Sequence, residues 1–357
     1  MRVALIEFNN YHTECLYSQA LFLKNEGCQV TLIISPKAKN IVGDFSKLTD
    51  KVYYYDKKIR FNIFKNAFNL LKLIYFLYTK DFDKIIFNTA SSSKTIILLS
   101  LILKPKKTEL IGTLHNLKKI KTSLSQKIII NNLHKFFVLN DFLLQELSNQ
   151  NLNLKVSSFY PIFFPGHNQT GIKKPKDEIW ICIPGEVNYR RRDYDIILKS
   201  LQKIRIDEKL KFIILGKLME SSDSQNFINQ IFENNLENLF VTFNEYIDNP
   251  LFFSYLSESD FLLANLQIKD DSYLKYKISG IINLALGFKK NIITNKKLSF
   301  IEDLNNNSFF YENENDLAIL LSNILSVVQQ NEKYKTSNKL TLHFQQKKYI
   351  SFIKNNR

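Results

Sequence analysis

Short apolar runs rich in β-branched residues recur along the chain, separated by longer stretches in which apolar positions return every three or four residues. The short runs cover residues 3–8, 30–34, 84–88, 109–113 and 135–139, and the helical patterns 13–26, 62–79, 93–103 and 141–149. A strand apolar on both faces needs cover on both, and helices between successive strands supply it. The pattern therefore predicts a parallel, doubly wound α/β sheet. It pauses at 161–176, PIFFPGHNQTGIKKPK, where prolines and glycines mark a linker. It then resumes with strands at 179–183, 212–215, 239–243, 261–264, 291–294 and 308–311, and helices at 194–204, 223–234, 250–257, 279–288 and 316–329. A last helix covers 343–353. The expected organisation is a Rossmann-like domain over 1–165, a linker over 166–177, a second Rossmann-like domain over 178–335, and a terminal helix within 336–357 that crosses back to the first. Open α/β sheets bind ligands beyond the carboxyl ends of their strands, so two such domains are expected to face each other across a cleft.

Length agrees with this division, because 357 residues exceed what one core usually supports. Charge adds an asymmetry. Residues 1–165 hold 23 Lys and Arg against 11 Asp and Glu, a net of +12, whereas 166–357 hold 26 against 23, a net of +3. The first half thus calls for an anionic partner. Segments 57–80 and 104–127 interleave lysine with Phe, Ile, Leu and Tyr. The first reads either as an amphipathic helix on an anionic membrane surface or as an ordinary helix packed on its sheet. No apolar stretch reaches the roughly 18 residues of a membrane span, and the N-terminal apolar run is too short for a signal peptide. Cys15, Cys28 and Cys182 form no CxxC pair, Cys28 and Cys182 read as buried small hydrophobes, and the compartment reads as reducing.

The strongest chemical signal is the turn Pro184-Gly185-Glu186-Val187-Asn188-Tyr189-Arg190-Arg191-Arg192, between a strand and a helix. Free N–H groups, the helix dipole and a glycine that permits close approach suit a phosphate, and guanidinium forks match its oxygens. A solvated basic turn is the ordinary alternative. Lys277, Ser279 and Gly280 open the helix over 279–288 and supply a second candidate phosphate contact, with Asn283 one turn in and within reach of a ribose or sugar hydroxyl. Gly216-Lys217 places a cation at the end of a strand. In the first half, His12 and His115 follow strands and are candidates to orient a sugar or move a proton, with Glu7 and Glu14 beside them. His134, His167 and His343 lack such a setting. Asp270-Asp271 is a carboxylate pair that a surface loop explains equally well. HExxH, Cys/His spacings, a DxD in a strand-loop setting, GxGxxG after the first strand and Walker A are all absent from the sequence, so no metal site, nicotinamide enzyme or ATPase is expected.

With these motifs placed, the chain resembles GT-B glycosyltransferases, closest to the retaining enzymes of family 4. Residues 185–201, GEVNYRRRDYDIILKSL, are similar to their donor loop and following helix; 212–217 look like their next strand and glycine, and 243–262 and 277–294 like the segments before and after their donor-sugar loop. The departures are specific. The family's donor-loop arginine falls on Glu186 and its lysine on Arg192, and its two glutamates, eight positions apart, fall on Lys275 and Asn283. The resemblance implies an enzyme that moves a sugar from a nucleotide diphosphate-sugar to a glycan or lipid-linked glycan in surface polysaccharide or glycoconjugate synthesis. It implies no other cofactor, and a place in the cytoplasm or at the inner face of the cell membrane.

On this reading Arg190, Arg191, Arg192, Lys217 and Lys277 neutralise the departing diphosphate in place of a metal ion, while His115 and His12 orient the reacting sugar or acceptor. Three other readings compete. A non-catalytic GT-B partner subunit would be excluded by turnover of any nucleotide-sugar. A GT-B sugar-nucleotide epimerase is separated by product analysis without acceptor. Nucleic-acid binding lacks any supporting motif, and no such partner is expected.

Overall fold

The computed structural model describes residues 1–9, 12–41, 45–56, 63–91, 93–150, 152–166, 172–205, 207–218, 220–269, 271–324, 328 and 334–355. Asn62, His167, Asp270 and Gln329, which enter the sequence reading, lie outside them. The chain forms two compact units. Unit 1 comprises Met1–Pro165, Lys275–Ile278 and Ser337–Arg357; unit 2 comprises Gly166–Leu274 and Ser279–Thr336.

Unit 1 is built on seven parallel strands, β1 (Arg2–Glu7), β2 (Gln29–Ile34), β3 (Lys51–Tyr54), β4 (Lys84–Phe87), β5 (Glu109–Leu114), β6 (Lys135–Leu139) and β7 (Val156–Phe159). Their order is β3-β2-β1-β4-β5-β6-β7. The helices are α1 (Thr13–Asn25), α2 (Ile63–Thr79), α3 (Lys94–Leu103), α4 (Leu124–Asn132), α5 (Asn140–Ser148) and α11 (Leu342–Lys354). The continuous apolar runs became the buried strands β1, β4, β5 and β6. The edge strands β3 and β7, KVYY and VSSF, were not expected, because half-exposed polar positions break their apolar run. Helix α4 was also missed. Its Ile128-Ile129-Ile130 reads locally as strand, and the helix is set instead by Ser123, whose side chain accepts the Gln126 N–H.

The terminal helix returns to unit 1, as its amphipathic pattern requires. The Tyr349 ring stacks on Phe137 at 4.4 Å and its hydroxyl donates to Gln19 Oε1 at 3.0 Å. Lys348 Nζ donates to Asp141 Oδ1 at 2.9 Å and Ser158 Oγ at 2.6 Å.

Unit 2 has six parallel strands, β8 (Ile179–Pro184), β9 (Leu210–Lys217), β10 (Phe240–Phe243), β11 (Phe261–Ala264), β12 (Asn291–Asn295) and β13 (Ser308–Tyr311), ordered β10-β9-β8-β11-β12-β13. Helices α6 (Asp195–Leu201), α7 (Ser222–Glu233), α8 (Asn249–Glu258), α9 (Gly280–Phe288) and α10 (Glu314–Ser322) cover it. Helix α6 ends sooner than the pattern to residue 204 predicts. In both sheets the strand order reverses at the first strand, between β1 and β4 and between β8 and β11. Ligands of open α/β sheets collect at the carboxyl ends of such strands.

Candidate functional site

At the switch point of unit 1, β1 ends in Glu7, β4 is followed by Asn88 and Thr89, and β5 by His115. Glu7 is 2% exposed. Its Oε2 accepts from Asn88 Nδ2 at 2.7 Å and Thr89 Oγ1 at 2.5 Å, and its Oε1 from Asn9 N at 2.8 Å and Asn9 Nδ2 at 3.0 Å. Burial raises the Glu7 pKa against these bonds. Asn88 passes the network on, because its Oδ1 accepts from Gln19 Nε2 at 2.6 Å.

His115 Nε2 lies 2.6 Å from the Asn88 carbonyl oxygen. A carbonyl only accepts, so Nε2 carries the proton and Nδ1 is the bare nitrogen. Nδ1 is buried and has no hydrogen-bond partner among the described residues. Burial, helped by neighbouring His12, lowers the His115 pKa from 6.5 to about 3, so the ring is neutral at ordinary pH. The His12 ring stacks on it at 3.9 Å between centroids. His12 has φ +67°, a left-handed conformation uncommon outside glycine, at the N-cap of α1. Its Nδ1 is 3.7 Å from Glu14 Oε1. Burial acts to raise the Glu14 pKa, but the His12 contact outweighs it and the carboxyl sits below its ordinary value. The structure thus brings His12, His115, Glu14 and, through Asn88, Glu7 into one cluster.

One potential ligand atom each from His12, Cys15 and His115 lie within 4.8 Å of one another. Cys15 also approaches Glu14 Oε1 at 3.6 Å, and burial together with that carboxylate holds its thiol protonated.

At the switch point of unit 2 the architecture is glycine-built. Gly185 has φ +101°, and its N–H donates to Leu215 O at 2.8 Å. A Cβ on Gly216 would stand 2.3 Å from Gly185 C and 2.5 Å from Glu186 N, so β9 and the β8 turn touch backbone to backbone. Asn188 then organises the turn. Its Oδ1 accepts Arg190 N at 3.1 Å and its carbonyl accepts Arg191 N and Arg192 N at 3.1 and 3.0 Å. Tyr189 N donates to Asp223 Oδ2 at 2.8 Å.

The three arginines are not equivalent. Arg190 and Arg191 are exposed. Arg192 turns inward, donating to the Pro184 carbonyl, with its guanidinium beside Gly185 and the Tyr194 hydroxyl. Across the switch point the turn is sewn to the chain after β11. Asp193 N donates to Asn265 O at 2.7 Å, Asn265 Nδ2 to Asp193 O at 3.1 Å, and Gln267 N to Arg191 O at 2.9 Å.

Two carboxamide oxygens end here without a donor among the described residues. Asn265 is 0% exposed and Asn283 2% exposed, and the Oδ1 of each is buried and unpartnered. Asn265 follows β11, and Asn283 lies in the first turn of α9, at the same carboxyl edge. Ser279 precedes that helix and makes no side-chain cap bond; Gly280 is exposed. Lys217 is exposed at the end of β9, beside a hollow of about 510 Å³ bordered by Leu218, Ser221, Ser224 and Asn244. A larger hollow of about 840 Å³, lined by Glu178, Arg205 and Lys209 among others, lies at the opposite edge of the sheet and holds none of the predicted residues.

Lys277 is placed differently from the rest of the predicted donor set. It belongs to the excursion Lys275–Ile278, which leaves unit 2 and packs with unit 1. Leu117 N donates to Tyr276 O at 2.8 Å, tying that excursion to the loop that carries His115. Of the other histidines, His134 Nδ1 accepts Leu110 N at 2.9 Å and His343 is exposed on α11. Asn88, Thr89 and Asn265 were not singled out from sequence. The available signal was their position, as polar residues directly after apolar strands flanking the reversal point.

No protein-family model matches the chain, and no curated protein matches it in sequence. Solved structures do. A UDP-GlcNAc 2-epimerase from Methanocaldococcus jannaschii superposes with a TM-score of 0.67 at 10% identity, covering 100% of each chain. HepE of Anabaena, in complex with UDP and glucose, gives 0.64 at 12% identity over 98% of this chain and 95% of its own. The lipopolysaccharide outer core galactosyltransferase WaaB gives 0.59 at 12% identity over 99% of both. At such identities the likeness is one of fold. The chain has the GT-B architecture of two parallel-sheet Rossmann-like units.

Proposed function

We propose that the chain is a glycosyltransferase that takes a sugar from a nucleotide diphosphate-sugar held on unit 2 and gives it to a glycan or lipid-linked glycan presented by unit 1. The observation that carries this reading is the edge of unit 2, where exposed Arg190 and Arg191 belong to a glycine-built turn bonded to Asn265, and where the buried carboxamide oxygens of Asn265 and Asn283 lack donors among the described residues. Diphosphate oxygens fit the first and nucleoside hydroxyls the second. Asn283 stands where the retaining enzymes of family 4 carry a glutamate, and a carboxamide oxygen still accepts from ribose. UDP in the HepE complex supports a uridine nucleotide as donor.

Positive charge on Arg190, Arg191 and Lys217 stabilises the leaving diphosphate most as the glycosidic bond breaks, which makes a metal ion dispensable. On unit 1, the bare Nδ1 of neutral His115 accepts a hydroxyl hydrogen and so orients a sugar or acceptor. Its lowered pKa makes it a weak base, and the Glu7 oxygens are already engaged. Proton removal then falls to the departing diphosphate, which favours a retained anomeric configuration.

A UDP-sugar epimerase is the second reading, favoured by the structural likeness to UDP-GlcNAc 2-epimerases. It asks for a base strong enough to take a carbon-bound proton, and His115 and Glu7 do not answer that need. The test is incubation with a panel of UDP-sugars, with and without glycan acceptors and with a chelator present. Acceptor-dependent UDP release that survives the chelator is expected. Isomerised UDP-sugar formed without acceptor would instead establish the epimerase.

A further inference from the structure

Helices α2, α3 and α4 lie side by side on one face of the unit 1 sheet. The inner side of α2 is anchored, with Leu73 and Leu77 buried and the Phe76 ring stacked on Tyr53 at 4.6 Å. Its outer side is apolar as well. Phe64, Phe68, Leu71, Tyr75 and Tyr78 recur at helical spacing along one stripe, each between 53% and 88% exposed. The stripe continues onto the neighbours, where Leu98 and Leu101 of α3 and Leu124 and Ile128 of α4 are exposed. Exposed lysines are set into this face at Lys72, Lys94, Lys104 and Lys127. Lys72 Nζ sits 4.4 Å above the Phe68 ring, and Lys104 Nζ reaches from the end of α3 to Asn131 O on α4 at 3.1 Å.

No Asp or Glu occurs in residues 63–80, 88–108 or 110–135. The acids between these stretches are occupied elsewhere. Asp81 pairs with Arg2, Asp83 accepts Arg2 N, and Glu109 is buried between Lys84 and Lys135. Three helices thus share an outer face that is apolar and cationic, with acidic side chains excluded.

We infer that this face docks on an anionic lipid bilayer, with the α2 stripe at the level of the acyl boundary and the lysines among the headgroups. A contiguous exposed apolar patch marks an interaction site. Aromatic rings beside lysines are the composition of an in-plane interfacial helix. No helix among the described residues is long and apolar enough to cross a membrane, so the contact is peripheral. A second copy of the chain is a poor occupant, because a two-fold contact would set lysines against lysines. The inference stands apart from the donor site, which lies on unit 2.

Flotation of the purified chain with vesicles tests it. Binding to phosphatidylcholine vesicles containing about one-third phosphatidylglycerol is expected to exceed binding to phosphatidylcholine alone by at least tenfold, and to fall with added salt. Replacing Phe68, Leu71 and Tyr75 with Ser is expected to abolish it. Lys72→Glu with Lys127→Glu is expected to weaken it more than tenfold, since each lysine near the surface contributes about fivefold. Because all five positions are exposed, the melting temperature and any UDP-induced shift in it should stay at the unsubstituted values, which confirms that both units remain folded. Equal partition onto neutral vesicles, absence of binding to either, or anionic binding that survives both sets of substitutions overturns the inference. Concentration-dependent self-association that the Ser variant dissolves overturns it in favour of a second copy.

Discussion

The two switch points occupy the same place in two sheets of the same class and are finished in opposite ways. Around Glu7 in unit 1 the side chains satisfy each other. Glu7 accepts four bonds, Asn88 joins it to Gln19, and Gln19 to Tyr349, while His115 Nδ1 has no partner among the described residues. In unit 2 the backbone does the positioning through Gly185 and Gly216, Arg190 and Arg191 are exposed, and the Asn265 and Asn283 carboxamide oxygens lack donors among the described residues. A saturated network fixes geometry and a deficient one invites a ligand. The contrast is between the surroundings of Glu7 and those of Gly185, and the proposed donor site rests on the second.

The sharpest way to break that contrast is Gly216→Ala. The obstructing atoms are backbone, which cannot rotate aside, so a loss of roughly 2–3 kcal/mol is expected, with disappearance of any UDP-dependent rise in melting temperature. Denaturant titration with and without UDP measures both. Next is the pair Arg192→Ala and Arg191→Ala. The inward guanidinium stabilises the turn, so its removal should lower stability by about 2 kcal/mol. Removing the exposed one should leave stability within roughly 0.5 kcal/mol yet weaken UDP-sugar binding about tenfold, as calorimetry would show. Equal effects from both would mean that the two guanidinium groups do not divide the work in this way.

In unit 1 the expected signature is pH-dependent. A histidine whose folded pKa lies near 3 and whose unfolded pKa lies near 6.5 leaves the unfolded chain holding more protons between those values. Stability therefore falls as pH drops from 6.5 towards 3, by roughly 1–2 kcal/mol at pH 5. His115→Gln should remove that part of the slope in melts recorded from pH 5 to 8. The smallest effect has an unusual sign. Asn283→Leu eliminates a buried acceptor without a donor, so the free protein should gain about 1 kcal/mol while losing affinity for UDP. A stability loss instead would indicate that Asn283 is already satisfied within the fold.

Legibility in the sequence followed burial. Strands such as β1, β5 and β8 are apolar on both faces and announced themselves, whereas β3 and β7 at the rim did not. His12, His115 and Gly185 were visible because each follows a strand. Asn88 and Thr89 were not, because their meaning comes from β4 lying beside β1, a register that local pattern does not encode. A run of three arginines likewise conceals which one turns inward. Lys277 shows the same limit at larger scale, since its spacing reads as part of the second unit while the chain carries it to the first.

The docking of α11 has a consequence for biosynthesis. Tyr349 is fully buried against Phe137 and bonds to Gln19 across 330 residues of sequence. As the nascent polypeptide leaves the ribosome, the first unit to begin appearing is therefore unable to close its own interior until residues 342–354 have emerged. Unit 2, with nearly all of its chain already delivered, is free to fold before it. Order of synthesis and order of completion run in opposite directions, and a nascent chain halted before residue 342 should hold a protease-resistant second unit behind an open first one.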